Sequence, residues 1–130
     1  MAKNKVFIGY DYDNDKASKD RLLGWDVNKE FDFSSYDGSF DVAVDSPEAV
    51  VIKQDLAARI RVASYYLCIV GKETYRSAWV AWEIRKAVEL KKKLVAAKID
   101  STNNSPTAMQ GVGASWSTTF NFDSIKKAMN

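Results

Sequence analysis

Residues 65–71, YYLCIVG, and residues 77–87, SAWVAWEIRKA, decide the fold of this chain. The first segment is a continuous apolar run that ends at a glycine, which is typical of a strand buried on both faces of a parallel sheet. The second has apolar residues at helical spacing and predicts an amphipathic helix that reaches about Lys92. Its expected inward residues are Val80, Ile84, Ala87 and Val88. A buried strand followed by such a helix is the repeating unit of α/β proteins.

The same alternation of strand and helix continues through the rest of the sequence. Apolar runs predict strands at residues 5–10, 31–36, 65–70, 94–99 and 117–122. Further helices are predicted from about Lys16, from Pro47 with Ser46 as N-cap, and from 123 to 129 with Asp123 as N-cap. The helix after Pro47 is expected to turn its apolar stripe inward, namely Val51, Ile52, Leu56, Ile60 and Val62. We therefore predict a flavodoxin-like α/β fold, a five-stranded parallel sheet with helices on both faces and right-handed crossovers.

Composition limits both the size of the protein and its chemistry. The 130 residues suit one domain, which we expect to span residues 1–130. The chain has no histidine and one cysteine, Cys68. This excludes Ser-His-Asp catalysis, histidine-containing zinc sites and an internal disulfide, and it leaves acid–base chemistry to Asp, Glu, Lys or Tyr. The net charge of +2 and the absence of a long apolar segment indicate no nucleic-acid or membrane partner, and we expect a cytoplasmic protein.

Ligands of open parallel sheets bind at the carboxyl ends of the strands. Three segments are expected to open on that edge, at residues 9–15, 37–46 and 71–79. The first contains Asp11, Asp13 and Asp15, whose spacing resembles the magnesium-binding aspartates of phosphoryl-transfer receivers of similar fold. Such receivers also have an aspartate at the end of the third strand, where this chain reads IVGK. We therefore interpret the acidic loop as turn chemistry and helix initiation, and we predict no metal site.

The helix after residue 71 places a carboxylate beside an aromatic ring. Trp79 and Glu83 are one helical turn apart, near a helix N-terminus whose partial positive charge favours an ionised carboxylate. A carboxylate beside an aromatic wall suits a reaction through a sugar oxocarbenium ion, because the negative charge stabilises the cation and the ring stacks on the ligand. The alternative interpretation is structural, with Glu83 at the surface in an ion pair with Lys86.

These residues resemble a known family. Residues 6–10, VFIGY, are similar to the FISY first strand of TIR domains, and Trp79-x-x-x-Glu83 matches the W-x-x-x-E motif of their catalytic helix. The loop at residues 37–46 occupies the position of the family's BB loop. The chain is most similar to short bacterial TIR-like proteins, including those of Thoeris anti-phage systems, and the resemblance covers nearly the whole sequence.

The resemblance implies an activity and a set of site residues. Catalytic TIR domains cleave the nicotinamide–ribose bond of NAD+, by hydrolysis or cyclisation, and the Thoeris members make a nucleotide signal for a separate effector protein. It implies Glu83 as the catalytic carboxylate, NAD+ as substrate with no resident cofactor, and self-association through TIR contacts. The expected substrate-binding residues are Trp79, Gly9, Tyr10, Asp11, Phe40, Asp41, Lys72 and Thr74. Gly9 stands where the family usually has serine. The alternative function is a TIR-like interaction module without catalysis.

Overall fold

The computed structural model describes residues 4–36 and 41–130, and its described part contains one five-stranded, wholly parallel sheet. The strands are β1 (Asn4–Gly9), β2 (Phe31–Ser35), β3 (Tyr65–Val70), β4 (Lys93–Lys98) and β5 (Ser115–Ser117). The helices are α1 (Tyr12–Trp25), α2 (Ala49–Val62), α3 (Ala78–Glu89) and α4 (Phe122–Met129). Short 3-10 turns at Thr74–Arg76 and Thr107–Met109 precede α3 and β5. The predicted α/β fold is therefore confirmed.

The helices cover both faces of the sheet, as the apolar strands require. One core cluster joins alternate strand residues to α2 and α3 and includes Phe7, Tyr66, Cys68, Leu56, Ile60, Val80 and Ile84. The other joins the intervening strand residues to α1 and α4 and includes Val6, Ile8, Leu67, Ile69, Leu22, Ile125 and Met129. Because successive strand side chains point to opposite faces, continuous apolar strands fill both layers.

The strand order places a crevice above the middle of the sheet. The strands run in the order β2-β1-β3-β4-β5, so the chain moves outward from β1 to β2 and then returns to β3 on the other side of β1. Ligands of such sheets bind at this reversal, outside the carboxyl ends of the two strands. Here those ends are Gly9 and Val70.

Two helices begin at positions other than those predicted. The helix α1 begins at Tyr12 rather than near Lys16, because the side chain of Asp11 accepts a hydrogen bond from the backbone N–H of Asp13 and caps the helix. The helix α2 begins at Ala49. The Ser46 hydroxyl donates to the Ala43 carbonyl at 2.6 Å, so it closes a turn and does not cap α2.

The carboxyl-terminal elements also differ from the prediction. The last strand is Ser115–Ser117 rather than residues 117–122. The N-cap of α4 is Asn121, whose side chain accepts from the N–H of Ser124 at 2.8 Å, and Asp123 lies in the first turn. Asparagine and aspartate are about equally good N-caps, so the spacing of capping residues alone does not locate the helix start.

Three valines predicted to face inward are exposed. The exposed fractions are 73% for Val51, 64% for Val62 and 40% for Val88. Val51 and Val62 lie roughly a third of a turn or more around α2 from the buried Leu56 and Ile60, so they cannot share the buried stripe.

Candidate functional site

The site is organised by the start of α3. The Ser77 hydroxyl accepts a hydrogen bond from the N–H of Val80 at 3.1 Å and caps the helix. This cap fixes the first turn of α3 directly after the 3-10 turn that leaves β3. Trp79 therefore lies in the first turn of the helix, and Glu83 lies one turn later.

Trp79 is a buried wall with a fixed orientation. Its side chain is 8% exposed, and its indole Nε1 donates to the carbonyl of Val42 at 3.0 Å. It also makes an edge contact with Trp82, with ring centroids 6.5 Å apart. The hydrogen bond connects α3 to the segment before α2. The indole ring is therefore held by the Val42 carbonyl and by the Trp82 ring.

Glu83 is buried, with 3% of its surface exposed. Its Oε1 accepts a hydrogen bond from the hydroxyl of Tyr66, at 2.9 Å. Burial raises the pKa of Glu83 from 4.5 to about 8, and the hydrogen bond from Tyr66 acts in the opposite direction. The expectation that the helix N-terminus keeps this carboxylate ionised is therefore wrong, because the effect of burial is larger. The interpretation of Glu83 as a surface partner of Lys86 is wrong, because the Lys86 ammonium lies 2.6 Å from Glu89 Oε2 instead.

Gly9 lies against this pair of side chains. A Cβ atom at Gly9 would overlap the Tyr66 hydroxyl and would lie 2.6 Å from Glu83 Oε1. A residue with a side chain is therefore excluded at the carboxyl end of β1 unless Tyr66 and Glu83 move. The glycine leaves the space in which the hydroxyl and the carboxylate meet.

A cavity of about 190 Å³ opens beside these residues, at the carboxyl end of β1 and the N-termini of α1 and α3. It is lined by Tyr10, Asp11, Tyr12, Asp13, Asp41, Ser77 and Trp79. Four of the predicted substrate-binding residues thus line the same cavity, namely Tyr10, Asp11, Asp41 and Trp79. Glu83 does not line it, but its carboxylate lies beside Gly9, the residue before Tyr10. Phe40 lies outside the described residues.

Lys72 and Thr74 belong to a different part of the sheet edge. The Thr74 hydroxyl is fully buried, accepts from the N–H of Gly71 at 2.8 Å and lies 3.1 Å from Asp15 Oδ2. Lys72 lines a second cavity of about 300 Å³, together with Asp15 and Asp100. Burial raises the pKa of Asp15, and the hydrogen bond with Thr74 opposes that effect. The structure therefore does not bring Lys72 and Thr74 into the cavity beside Trp79.

Tyr66 is not among the predicted site residues, because the sequence shows it only as part of an apolar strand. One signal was available: a tyrosine in the middle of a buried strand needs a hydrogen-bond partner for its hydroxyl. Asp15, which is predicted to serve turn chemistry and helix initiation, is 7% exposed and lines the second cavity. In residues 4–36 and 41–130, no three His, Cys, Asp or Glu side chains are grouped to hold a metal ion. None of the helices described is long and apolar enough to cross a bilayer.

Comparison with known protein families shows which family the sequence matches. The family described as "Thoeris protein ThsB, TIR-like domain" matches residues 7–104, a span that runs from β1 past the end of β4. No curated protein matches the sequence significantly.

Several solved structures share the fold. A 2-deoxyribosyltransferase from the psychrotolerant bacterium Bacillus psychrosaccharolyticus superposes with a TM-score of 0.65 at 17% identity, over 92% of this chain and 90% of that chain. A CMP N-glycosidase, BcmB, from Clostridium botulinum gives a TM-score of 0.65 at 14% identity, over 98% and 100%. The TIR domains of the activated Roq1 resistosome give 0.53 at 15% identity, over 77% and 61%. With its family match covering most of the sequence and a TIR domain among its structural neighbours, the chain belongs to the Thoeris ThsB TIR-like domain family.

Proposed function

We propose that this chain cleaves the bond between nicotinamide and ribose in NAD+, as a glycohydrolase or cyclase, with Glu83 as the catalytic carboxylate. One observation carries the proposal. A glutamate at the W-x-x-x-E spacing is buried beside Gly9 at the carboxyl end of β1, and the following residue, Tyr10, lines a cavity together with Trp79. A buried carboxyl with a strongly perturbed pKa in such a place is a functional candidate.

The reaction needs little acid–base chemistry. The C1′–N1 bond of NAD+ breaks with its electron pair leaving on the pyridinium nitrogen, so nicotinamide departs as a neutral molecule without being protonated. The ribosyl C1′ becomes an oxocarbenium ion, which a nearby carboxylate stabilises. Attack by water gives ADP-ribose and releases one proton, whereas attack by an atom of the same nucleotide closes a ring. Glu83 supplies the negative charge in either case, and no histidine is required.

The raised pKa of Glu83 suits a cationic substrate. With a pKa of about 8, the carboxyl is mostly protonated at neutral pH in the ligand-free protein. A positive charge close to a carboxyl lowers its pKa, so a bound ribosyl-pyridinium favours the ionised form. The same burial that raises the pKa makes the carboxylate a stronger electrostatic partner than it would be in water.

The cavity residues provide contacts for the rest of the substrate. Trp79 offers an aromatic face for stacking, and Asp11 and Asp41 offer carboxylates that accept hydrogen bonds from ribose hydroxyls. Gly9 and Tyr10 contribute backbone at the same edge. Lys72 and Thr74 contact substrate only if it extends from the first cavity to the second. We retain Phe40 as a proposed contact from the resemblance alone.

The cavity volume is the reason for proposing self-association. The cavity beside Trp79 has a volume of about 190 Å³ between the described residues, which is smaller than the roughly 300–1,000 Å³ of sites for drug-sized ligands. We propose that a second copy of the chain completes the site, in line with the family resemblance. The product would act in the cytoplasm on a separate effector protein, in an anti-phage response, as the resemblance to the Thoeris TIR proteins implies.

Two structural neighbours support chemistry at a nucleoside anomeric carbon. They are named as a 2-deoxyribosyltransferase and a CMP N-glycosidase, so proteins of this fold act on the bond between a sugar and a base. This support is an analogy at the level of the fold, and the argument for Glu83 rests on the site.

The second candidate is a TIR-like interaction module without catalysis. One observation favours it: Glu83 is 3% exposed and is held by Tyr66, as a purely structural buried acid would be. The two candidates differ in what they require of Glu83. Catalysis requires its charge, whereas a structural role is served equally well by a neutral glutamine that accepts the same hydrogen bond.

The deciding experiment incubates NAD+ with concentrated wild-type protein, Glu83→Gln and Glu89→Gln, and separates the nucleotides by chromatography. Glu89 is a matched control, because it lies on the same helix and its side chain is 65% exposed. We expect nicotinamide and an ADP-ribose product, linear or cyclic, from the wild type and from Glu89→Gln, and none from Glu83→Gln. Nicotinamide release by a folded Glu83→Gln variant at the wild-type rate would refute the proposal, and release by none of the three would favour the interaction module.

A further inference from the structure

Glu83 is attached to the sheet by one side chain from the central strand. Tyr66 is fully buried on β3, and in residues 4–36 and 41–130 its hydroxyl is the one hydrogen-bond donor to the Glu83 carboxylate. The bond goes to Oε1 at 2.9 Å. Oε2 therefore remains for another partner.

The Tyr66 ring cannot readily move. Its strand is paired on both sides, with Phe7 of β1 and Leu94 of β4 as the register partners of Tyr66. The ring also stacks on Phe7, with centroids 5.9 Å apart and planes inclined by 19°. Because the ring is fixed in this way, the position of the Tyr66 hydroxyl is fixed as well. The hydrogen bond from this hydroxyl therefore holds the Glu83 carboxylate in a defined position.

Gly9 is the third part of the arrangement. A Cβ atom there would overlap the Tyr66 hydroxyl and approach Glu83 Oε1 to 2.6 Å. The hydrogen bond thus depends on the absence of a side chain at the end of β1. Three neighbouring elements, β1, β3 and α3, contribute one residue each to the same small volume.

We propose that Tyr66 is a positioning residue for Glu83: it holds Oε1, so that Oε2 is presented to the ribosyl cation. This hydrogen bond requires a glycine at position 9, because a side chain there would overlap the Tyr66 hydroxyl. This inference rests on the proposed function for its catalytic consequence, but its structural part can be tested without activity. Tyr66 does not itself contact the reacting atoms. It acts through the orientation and the ionisation of Glu83.

The ionisation provides a readout that a tyrosine that only filled the core, without this hydrogen bond, would not affect. Within the described part of the chain, Tyr66 and Cys68, both on β3, are the titratable groups whose pKa depends on Glu83. Burial, followed by the charge of Glu83, raises the pKa of both well above their ordinary values, so neither ionises in the range where Glu83 titrates. Gly9 contributes no charge from β1, and on α3 the ammonium of Lys86 is paired with Glu89. Removing the Tyr66 hydroxyl therefore removes the hydrogen bond that, among the described residues, lowers the pKa of Glu83.

The test uses Tyr66→Phe, with Tyr65→Phe as the matched control on the same strand. Tyr65 is half-buried, and its ring packs with the other core cluster, near Lys93. Carboxyl NMR of carbon-13-labelled glutamate, assigned with Glu83→Gln, follows the titration of Glu83 directly. We expect Tyr66→Phe to raise the midpoint by about 1 to 2 pH units, the size of one lost hydrogen bond to an ionised group. The acidic limb of kcat/KM for nicotinamide release should move by the same amount, and Tyr65→Phe should move neither.

The NMR readout separates the two proposals. An unchanged Glu83 midpoint in Tyr66→Phe would overturn the positioning role, whether or not the protein releases nicotinamide. A raised midpoint in Tyr66→Phe, together with no nicotinamide release by the wild type, would support the positioning of Glu83 by Tyr66 and contradict the proposed function.

A double-mutant cycle tests the role of Gly9 and does not depend on any one variant being active. Gly9→Ala should lower the melting temperature of the wild type by several degrees, because the new methyl group overlaps the Tyr66 hydroxyl. The same substitution in Tyr66→Phe should cost less, since the overlapping oxygen is gone, while the contacts of 2.6 Å with the ring carbon Cζ and with Glu83 Oε1 remain. Equal losses in the two backgrounds would overturn the proposed link between Gly9 and Tyr66.

Discussion

Replacing Glu83 by glutamine should stabilise the protein in alkaline solution and leave its stability almost unchanged in acid. Burial raises the pKa of this carboxyl from 4.5 to about 8. Between these values the folded protein keeps the proton and the unfolded chain releases it, so the wild type loses stability as the pH rises through the window. Above pH 8 the loss is complete. A glutamine does not titrate, so the variant escapes this loss.

The magnitude follows from the two pKa values. Each pH unit between them corresponds to about 1.4 kcal/mol, so the difference between 4.5 and about 8 amounts to about 4 to 5 kcal/mol. Glu83 is 3% exposed, so solvent screening reduces this figure little. For a urea slope of about 2 kcal/mol per molar, the unfolding midpoints of variant and wild type should separate by about 2 M at pH 9.

The assay is urea unfolding of wild type, Glu83→Gln and Glu89→Gln at pH 5 and at pH 9. Other titrating groups, including Asp15, are common to all three proteins and cancel in the comparison. Glu89→Gln should follow the wild type at both pH values. A difference between Glu83→Gln and wild type that is the same at both pH values would refute the reasoning, because it would mean that Glu83 titrates in the folded protein as it does in water.

The remaining predictions concern the helix start, the second cavity and the aromatic wall. Ser77→Ala should lower the unfolding free energy by about 1 kcal/mol through loss of the N-cap, and an unchanged melting temperature would contradict that assignment. Gly71→Ala should cost about 1 to 3 kcal/mol, because its Cβ would overlap the Asp15 carboxylate, and Asp15→Ala should relieve that cost in the double variant. Additive losses would contradict the overlap. Trp79→Phe keeps an aromatic face but loses the hydrogen bond to Val42, so steady-state kinetics should show a higher KM for NAD+ and a smaller change in kcat. A normal KM would show that this hydrogen bond does not organise the site.

The architecture was predictable because the strands β1, β3 and β4 contain continuous apolar runs, and amphipathic segments lie between them. Those patterns depend on local sequence and survive in the folded protein. Helix starts were harder, because Asp11 and Asn121 compete with neighbouring residues of similar capping strength. Only the local backbone decides which of them caps the helix.

The site was predictable in part. The helical spacing of Trp79 and Glu83 and their position after the third strand follow from sequence. The burial of Glu83 does not, because it depends on Tyr66, which is 17 residues away in the chain, and on the space left by Gly9. Thr74 is predicted to bind substrate because it lies close to Trp79 in the sequence. The 3-10 turn before α3 directs its hydroxyl toward Asp15 and away from the cavity beside Trp79.

The pH dependence of kcat/KM for nicotinamide release is the most direct test of the claim that an ionised, buried Glu83 drives the chemistry. This ratio reports ionisation in the free enzyme. With a pKa of about 8 for Glu83, the account predicts a plateau above that pH and a tenfold fall for each unit below it. A profile that stays flat from pH 6 to pH 9 would contradict it.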